Sequence, residues 1–156
     1  MLLKIGDDAI PFVLKSSDKK DISLDDFSGE NIVLLFFPLA FTSVCTEELC
    51  SVRDELSFYN DLNTKVLAIS VDSLFTLAKY KEVQGFNFTF LSDFNKEVSQ
   101  KYGALYEKFT YNMHGVSKRA AFIIDVNKKI RYAEILENAR EVPNFAAIKE
   151  TLQSLN

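Results

Sequence analysis

The run from Asn31 to Phe37, Asn-Ile-Val-Leu-Leu-Phe-Phe, constrains this chain more than any other feature. After Asn31 it is apolar without a break, and Pro38 stops it. Such a run reads as a strand buried on both faces. A strand of that kind needs covering layers above and below, which points to a sheet sandwiched by helices. A second buried strand is expected over Lys65–Val71, where Val66-Leu67-Ala68-Ile69-Ser70-Val71 is again nearly all apolar. Between the two, Val44, Leu49, Val52, Leu56 and Tyr59 recur at spacings of three to five, which predicts one helix over Val44–Leu62. Strand, helix, strand is the parallel βαβ unit.

The remaining elements follow the same logic. Pro11–Leu14 reads as an edge strand, Leu74–Val83 as a helix, Phe88–Phe90 as a short strand, and Lys96–Tyr102 as a short helix ended by Gly103. Ala120–Asp125 and Ile130–Ile135 flank the polar turn Asp125-Val126-Asn127-Lys128-Lys129, a hairpin signal. Phe145–Leu155 closes the chain as a helix with Pro143 near its start. A parallel βαβ unit plus an antiparallel hairpin gives an α/β fold with a mixed central sheet flanked by helices. This arrangement resembles the thioredoxin-like fold with an N-terminal strand extension. With 156 residues and no linker, repeat or low-complexity segment, residues 1–156 are expected to form one domain.

Composition excludes several function classes. The net charge is −4 with acidic and basic residues interspersed, so no basic footprint for nucleic acid exists. The 14 Phe residues concentrate in strand-like runs and read as core filling rather than a stacking platform for bases. The longest apolar stretch falls far short of the ~20 residues that span a bilayer, so no membrane partner is expected. Residues Met1 to Asp8 hold no basic region followed by an apolar one, which leads to an expectation of a cytoplasmic location. Two cysteines and one histidine, His114 in a polar loop, cannot close a zinc site. No dinucleotide fingerprint is present, and no cofactor is expected.

The chemistry concentrates in Phe37-Pro38-Leu39-Ala40-Phe41-Thr42-Ser43-Val44-Cys45-Thr46-Glu47-Glu48-Leu49-Cys50. This segment leaves the carboxyl end of a buried strand, where open α/β sheets bind ligands. Cys45 then falls in the first turn of the next helix. Amides there lack intrahelical partners, and the helix dipole favours an anion, so the position suits a reactive thiolate. Ionisation alone does not make a fast nucleophile. An ordinary thiol of pKa ~8.5 is roughly 3% ionised at pH 7, so full ionisation contributes about 30-fold, or ~2 kcal/mol. The rest must come from positioning and from stabilising charge on a departing atom.

Pro38, Thr42 and Cys45 match the Pro-x-x-x-Thr-x-x-Cys signature of the peroxiredoxins, and the chain resembles that family over nearly its whole length. The longer string is similar to the branches of AhpE and of PrxQ, the bacterioferritin comigratory protein. The resemblance extends to Ser70-Val71-Asp72, Phe90-Leu91-Ser92-Asp93, Tyr102-Gly103, and Arg119 just ahead of the strand containing Phe122-Ile123-Ile124-Asp125. It implies a thiol-dependent peroxidase that reduces hydrogen peroxide or organic hydroperoxides through a sulfenic acid on Cys45. Thr42 and Arg119 are then the side-chain donors to thiolate and peroxide, and the amides of Val44 and Cys45 complete the pocket. Pro38 shields the sulfur. Arg119 suits this role better than adjacent Lys118, because a planar guanidinium reaches two acceptors at once. Leu39, Phe41 and Val44 suggest an apolar pocket mouth for substrate. Glu48 is assigned beside them as a supporting contact, with Arg53 near it, although a solvated helix face is the competing reading for both.

The resemblance also makes Cys50 the resolving cysteine, forming an intramolecular disulfide. On an intact helix the two Cα atoms would stand roughly 8.7 Å apart, beyond the ~7 Å limit for a disulfide. Resolution therefore requires the first helical turns to unwind. The alternatives are a one-cysteine peroxidase with Cys50 inert in the core, or a non-enzymatic redox sensor. A thioredoxin-type disulfide oxidoreductase is disfavoured, because it needs Cys-x-x-Cys. The expected reductant is thioredoxin, or a glutaredoxin-like protein if the sulfenic acid persists. The relatives of these branches imply a monomer or a homodimer.

Overall fold

The structure, a computed structural model, describes residues 2–156. Its strands are β1 (Val13–Ser16), β2 (Asp21–Ser23), β3 (Asn31–Phe36), β4 (Thr64–Ser70), β5 (Thr89–Ser92), β6 (Arg119–Ile124) and β7 (Ile130–Leu136). Its α-helices are α1 (Ser43–Asp54), α2 (Leu56–Asp61), α3 (Leu74–Gln84), α4 (Glu97–Lys101) and α5 (Phe145–Ser154). The strands form one seven-stranded mixed sheet in the order β2-β1-β5-β4-β3-β6-β7. β3, β4 and β5 run parallel, whereas β6 and β7 form the antiparallel hairpin on the other flank of β3.

The apolar run that opened the argument lies well inside the sheet, between β4 and β6, with all six β3 residues buried. Side chains alternate across the sheet, so the run feeds two cores. Val33, Leu35 and Phe37 join residues of α1, α2, α3 and α5 on one face, including Leu49, Tyr59, Leu77 and Ile148. Ile32, Leu34 and Phe36 join Phe12, Val98 and Tyr102 on the other.

Three sequence expectations change. Pro11–Leu14 is not the edge strand. β1 begins at Val13 and pairs on both sides, while the edge is β2, whose Asp-Ile-Ser is too short and polar to announce itself. The helix expected over Val44–Leu62 is two helices that break at Glu55 (φ −114°, ψ 19°), where the amide bonds back to the carbonyl of Val52. No Pro or Gly marks that break in the sequence. Arg119 does not precede the hairpin's first strand but opens it.

Candidate active site

β3 delivers the chain to the site, and the loop after it is clamped. Pro38 is buried. Ala40 donates its amide to Asp72 Oδ2 at 2.8 Å, and the Ser70 hydroxyl donates to the same oxygen at 2.7 Å. Ser92 in turn donates to the Asp72 carbonyl at 2.6 Å. The Ser70-Val71-Asp72 motif therefore holds the segment ahead of Cys45 against the ends of β4 and β5. Phe41 adopts a left-handed backbone (φ +66°), which is strained for a bulky residue. Its ring lies 4.9 Å from the ring of Tyr80.

Thr42 occupies the N-cap position of α1, but its hydroxyl caps no amide. It donates instead to the Leu39 carbonyl at 2.7 Å. With its one hydrogen engaged there, the oxygen of Thr42 has lone pairs free to accept. The first helical bond is from the Thr46 amide to the Thr42 carbonyl at 3.0 Å. The amides of Ser43, Val44 and Cys45 precede it and have no intrahelical acceptor. The Thr46 hydroxyl also donates to the Thr42 carbonyl at 2.8 Å, so it accepts from Tyr80, whose hydroxyl lies 2.8 Å away. Burial raises the Tyr80 pKa well above that of an ordinary phenol and keeps this donor neutral. Tyr80, on α3, thereby ties down the first turn of α1.

Sheet register explains how Arg119 arrives. β6 runs antiparallel to β3 with Ala120 opposite Phe36, so Arg119 lies one step on, beside the strand end that leads into Pro38. Ala121 and Ile123 belong to the core under α1, and alternation puts Arg119 on that same face. Lys118 goes elsewhere, to Glu137 at 2.7 Å. Arg119 Nη2 donates to Cys45 Sγ at 3.3 Å and to the Ala139 carbonyl at 2.8 Å. Nε donates to the same carbonyl at 3.2 Å, and Nη1 donates to Glu48 Oε1 at 2.6 Å. Of the five N–H groups of a guanidinium, one remains without a partner among the described residues.

Glu48 is the residue the sequence placed least well. It is 2% exposed, on the stripe Cys45, Glu48, Leu49, Val52 that packs into the core. It does not line the cavity over Cys45. It stands behind Arg119 as its ion-pair partner, with Oε2 buried and unbonded. Burial outweighs the attraction of Arg119 and pushes the Glu48 pKa up to about 7. Burial also works against the charge of Arg119, but Glu48 and the cysteine sulfur facing it prevail and raise its pKa further. The guanidinium is thus a fixed positive charge beside the Cys45 sulfur.

A cavity of about 370 Å³ opens over Cys45, lined by Pro38, Thr42, Val44 and Arg119 among the expected residues. Phe41 and Leu39, expected at its mouth, do not line it. The wall comes instead from two segments that sequence reasoning missed: Tyr106 and Lys108–Thr110 ahead of β6, and Glu137–Arg140 after β7. The Tyr106 hydroxyl donates to the Glu137 carbonyl at 2.9 Å and joins the two segments. Nothing in the local sequence signals them, because they reach the site only through the hairpin.

Cys50 is a free thiol, as is Cys45. It lies half-buried on the same unbroken helix, and its Sγ contacts Gln84 Oε1 on α3 at 3.8 Å. Arg53 is also turned toward α3, donating to the Gln84 carbonyl at 2.6 Å, and so takes no part around Cys45.

The model of the AhpC/TSA family matches residues 5–133. The mouse mitochondrial thioredoxin-dependent peroxide reductase is 36% identical over 141 residues, 86% of this chain and 51% of that protein. The chain thus spans about half the length of the mammalian relatives it matches. Peroxiredoxin Bcp of Escherichia coli is 34% identical over 131 residues, 83% of this chain and 84% of the relative. The crystal structure of peroxidoxin BcpB from Mycobacterium tuberculosis superposes with a TM-score of 0.87 at 26% identity, covering 99% of both chains. By these matches this chain belongs to the AhpC/TSA family and is a peroxiredoxin, similar to the PrxQ and bacterioferritin comigratory protein branch.

Proposed function

We propose that this chain, as a single domain, is a thiol peroxidase with Cys45 as its nucleophile. The observation that carries the reading is the 3.3 Å contact of Arg119 with a cysteine sulfur at a helix start, at the floor of an open cavity. The Cys45 thiolate attacks the outer oxygen of a hydroperoxide. An S–O bond forms, the O–O bond breaks, and the alkoxide or hydroxide that leaves takes up a proton. Arg119 and the amides of Val44 and Cys45 stabilise the charge as it moves from sulfur to oxygen. Thr42 accepts the hydroperoxide's O–H and aligns it. Pro38 covers the sulfur.

Cys50 then displaces hydroxide from the sulfenic acid, giving the Cys45–Cys50 disulfide and water. A dithiol protein of the thioredoxin type reduces it, in keeping with the cytoplasmic location expected from the sequence. The name of the mouse relative supports this reductant. Stopped-flow measurement of hydrogen peroxide consumption tests the reading. Wild type is expected to outpace Cys45→Ser by at least about 1,000-fold, since the remaining thiol, Cys50, does not line the cavity. Rapid consumption by Cys45→Ser overturns it.

A further inference from the structure

Helix α1 is fastened to α3 at two places. The first is the hydrogen bond between Thr46 and Tyr80 in the opening turn of α1. The second gathers at the carboxyl end of α3. Gln84 is the last residue of that helix, so its carbonyl has no intrahelical donor. Arg53 Nη1 donates to this carbonyl at 2.6 Å, and the Asn87 side chain donates to the Arg53 carbonyl at 3.4 Å. The side-chain Oε1 of the same Gln84 faces Cys50 Sγ at 3.8 Å. Cys50 and Arg53 stand three positions apart on α1, which makes them neighbours on one helix face. Thiol and guanidinium therefore meet one residue of α3, the first at its side chain and the second at its backbone. The hydrogen bond to Asp54 holds the Arg53 pKa above its usual value, and the sulfur of Cys50 adds to this, so the two side chains act on each other.

We propose that Arg53 and Gln84 are positioning residues for the second step, holding Cys50 on α3 while Cys45 comes to it and stabilising the negative charge on the Cys50 sulfur as it attacks. This rests on the reading of Cys50 as the resolving cysteine. Cys50 releases its proton to solvent, and its thiolate attacks the sulfur of the Cys45 sulfenic acid. The S–S bond forms, the S–O bond breaks, and the hydroxide that leaves takes up a proton as water. Arg53 supplies charge and exchanges no proton. An ordinary thiol of pKa ~8.5 is only roughly 3% thiolate at pH 7, so a cation beside it bears directly on this step. Arg53 is the one cation α1 carries; the other charged side chains of that helix, Glu47, Glu48 and Asp54, are acidic. From α3, Tyr80 and Lys81 stand in the turns ahead of Gln84, and burial keeps the Tyr80 phenol neutral. The two fastenings thus divide the work: the Tyr80 bond opens, and the Gln84 contacts stay closed.

The test follows the two steps separately in reduced protein given one equivalent of hydrogen peroxide. Loss of peroxide reports attack by Cys45. Samples quenched in acid, alkylated and mapped by mass spectrometry report the Cys45–Cys50 disulfide against time. Arg53→Gln keeps a donor for the Gln84 carbonyl and removes the charge. It is expected to leave peroxide loss unchanged and to slow disulfide formation about fivefold at pH 7, the upper range for a partly exposed charge contact. The deficit is expected to close as pH rises past the ordinary thiol pKa of ~8.5, where both proteins hold a thiolate without help. Arg53→Lys is expected to recover most of the rate, and Gln84→Glu, which sets a carboxylate against the sulfur, to slow the step with the same dependence on pH. A disulfide rate in Arg53→Gln equal to that of wild type overturns the proposal. So does a deficit that stays constant with pH, which marks loosened helix packing alone. If wild type consumes peroxide and forms no Cys45–Cys50 disulfide, the resolving role of Cys50 falls and takes the proposal with it, while the peroxidase reading stands.

Discussion

Arg119 and Glu48 form a buried ion pair in which the carboxylate gains less than burial costs it. That imbalance has a signed consequence. The Glu48 pKa stands at about 7 in the folded protein against 4.5 when unfolded. Below pH 4.5 both states hold the proton, and the contribution to stability is fully present. As pH rises from about 4.5 through about 7 the unfolded state releases its proton first, and about 3 kcal/mol is lost. Denaturant titrations at pH 5 and pH 8 should show wild type losing more stability across this window than Glu48→Gln. Parallel losses would contradict the burial argument. Arg119→Lys keeps the charge but cannot bind Ala139, Glu48 and Cys45 from one plane, so its rate with peroxide should fall by about 10- to 100-fold. An unchanged rate would remove Arg119 from the mechanism. Glu48 was partly legible in the sequence. It follows Cys45 by three positions and sits between it and Leu49 and Val52, which is a buried stripe. The Ala139 carbonyl was not legible, because a backbone acceptor brought in by a hairpin leaves no residue signature.

Helix α1 carries both cysteines in one unbroken run, and that geometry holds them apart. A Cys45–Cys50 bond thus demands that the turn held by Tyr80 through Thr46 come undone. Stoichiometric peroxide should yield that disulfide on peptide mapping, together with a loss of far-ultraviolet helical signal that dithiothreitol restores. A lasting sulfenic acid with a free Cys50 thiol would return Cys50 to the role of half-buried packing. Tyr80→Phe removes the hydroxyl and leaves the Thr46 oxygen one donor short, at a cost of about 1 kcal/mol. It should speed disulfide formation, because the turn opens more easily, and a slower rate would deny Tyr80 that part. The position of α1 was readable from Pro38 and the apolar spacing. Its break at Glu55 was not, since a change of backbone angle there follows from packing rather than from a breaking residue.

The molecule as a whole is organised around one strand whose alternate side chains feed two cores. Leu34→Ala, at a site with no exposure, should cost about 2–5 kcal/mol in chemical denaturation. The central strands, the hairpin and the mixed sheet could be read from apolar runs and turn residues, because the interior dictates them. The short edge strand β2 and the two wall segments of the cavity could not, because long-range pairing places them. The same distinction holds for chemistry. Cys45 was found from its neighbours in sequence, whereas the Ala139 carbonyl that holds Arg119 was found only from its neighbours in space. Trapping after a single turnover reaches the centre of the account. Reduced Cys50→Ser protein is mixed with one equivalent of hydrogen peroxide, treated with dimedone and mapped by mass spectrometry. The expected result is one adduct, on Cys45, matching the peroxide consumed; peroxide consumed while the Cys45 thiol stays intact would contradict it.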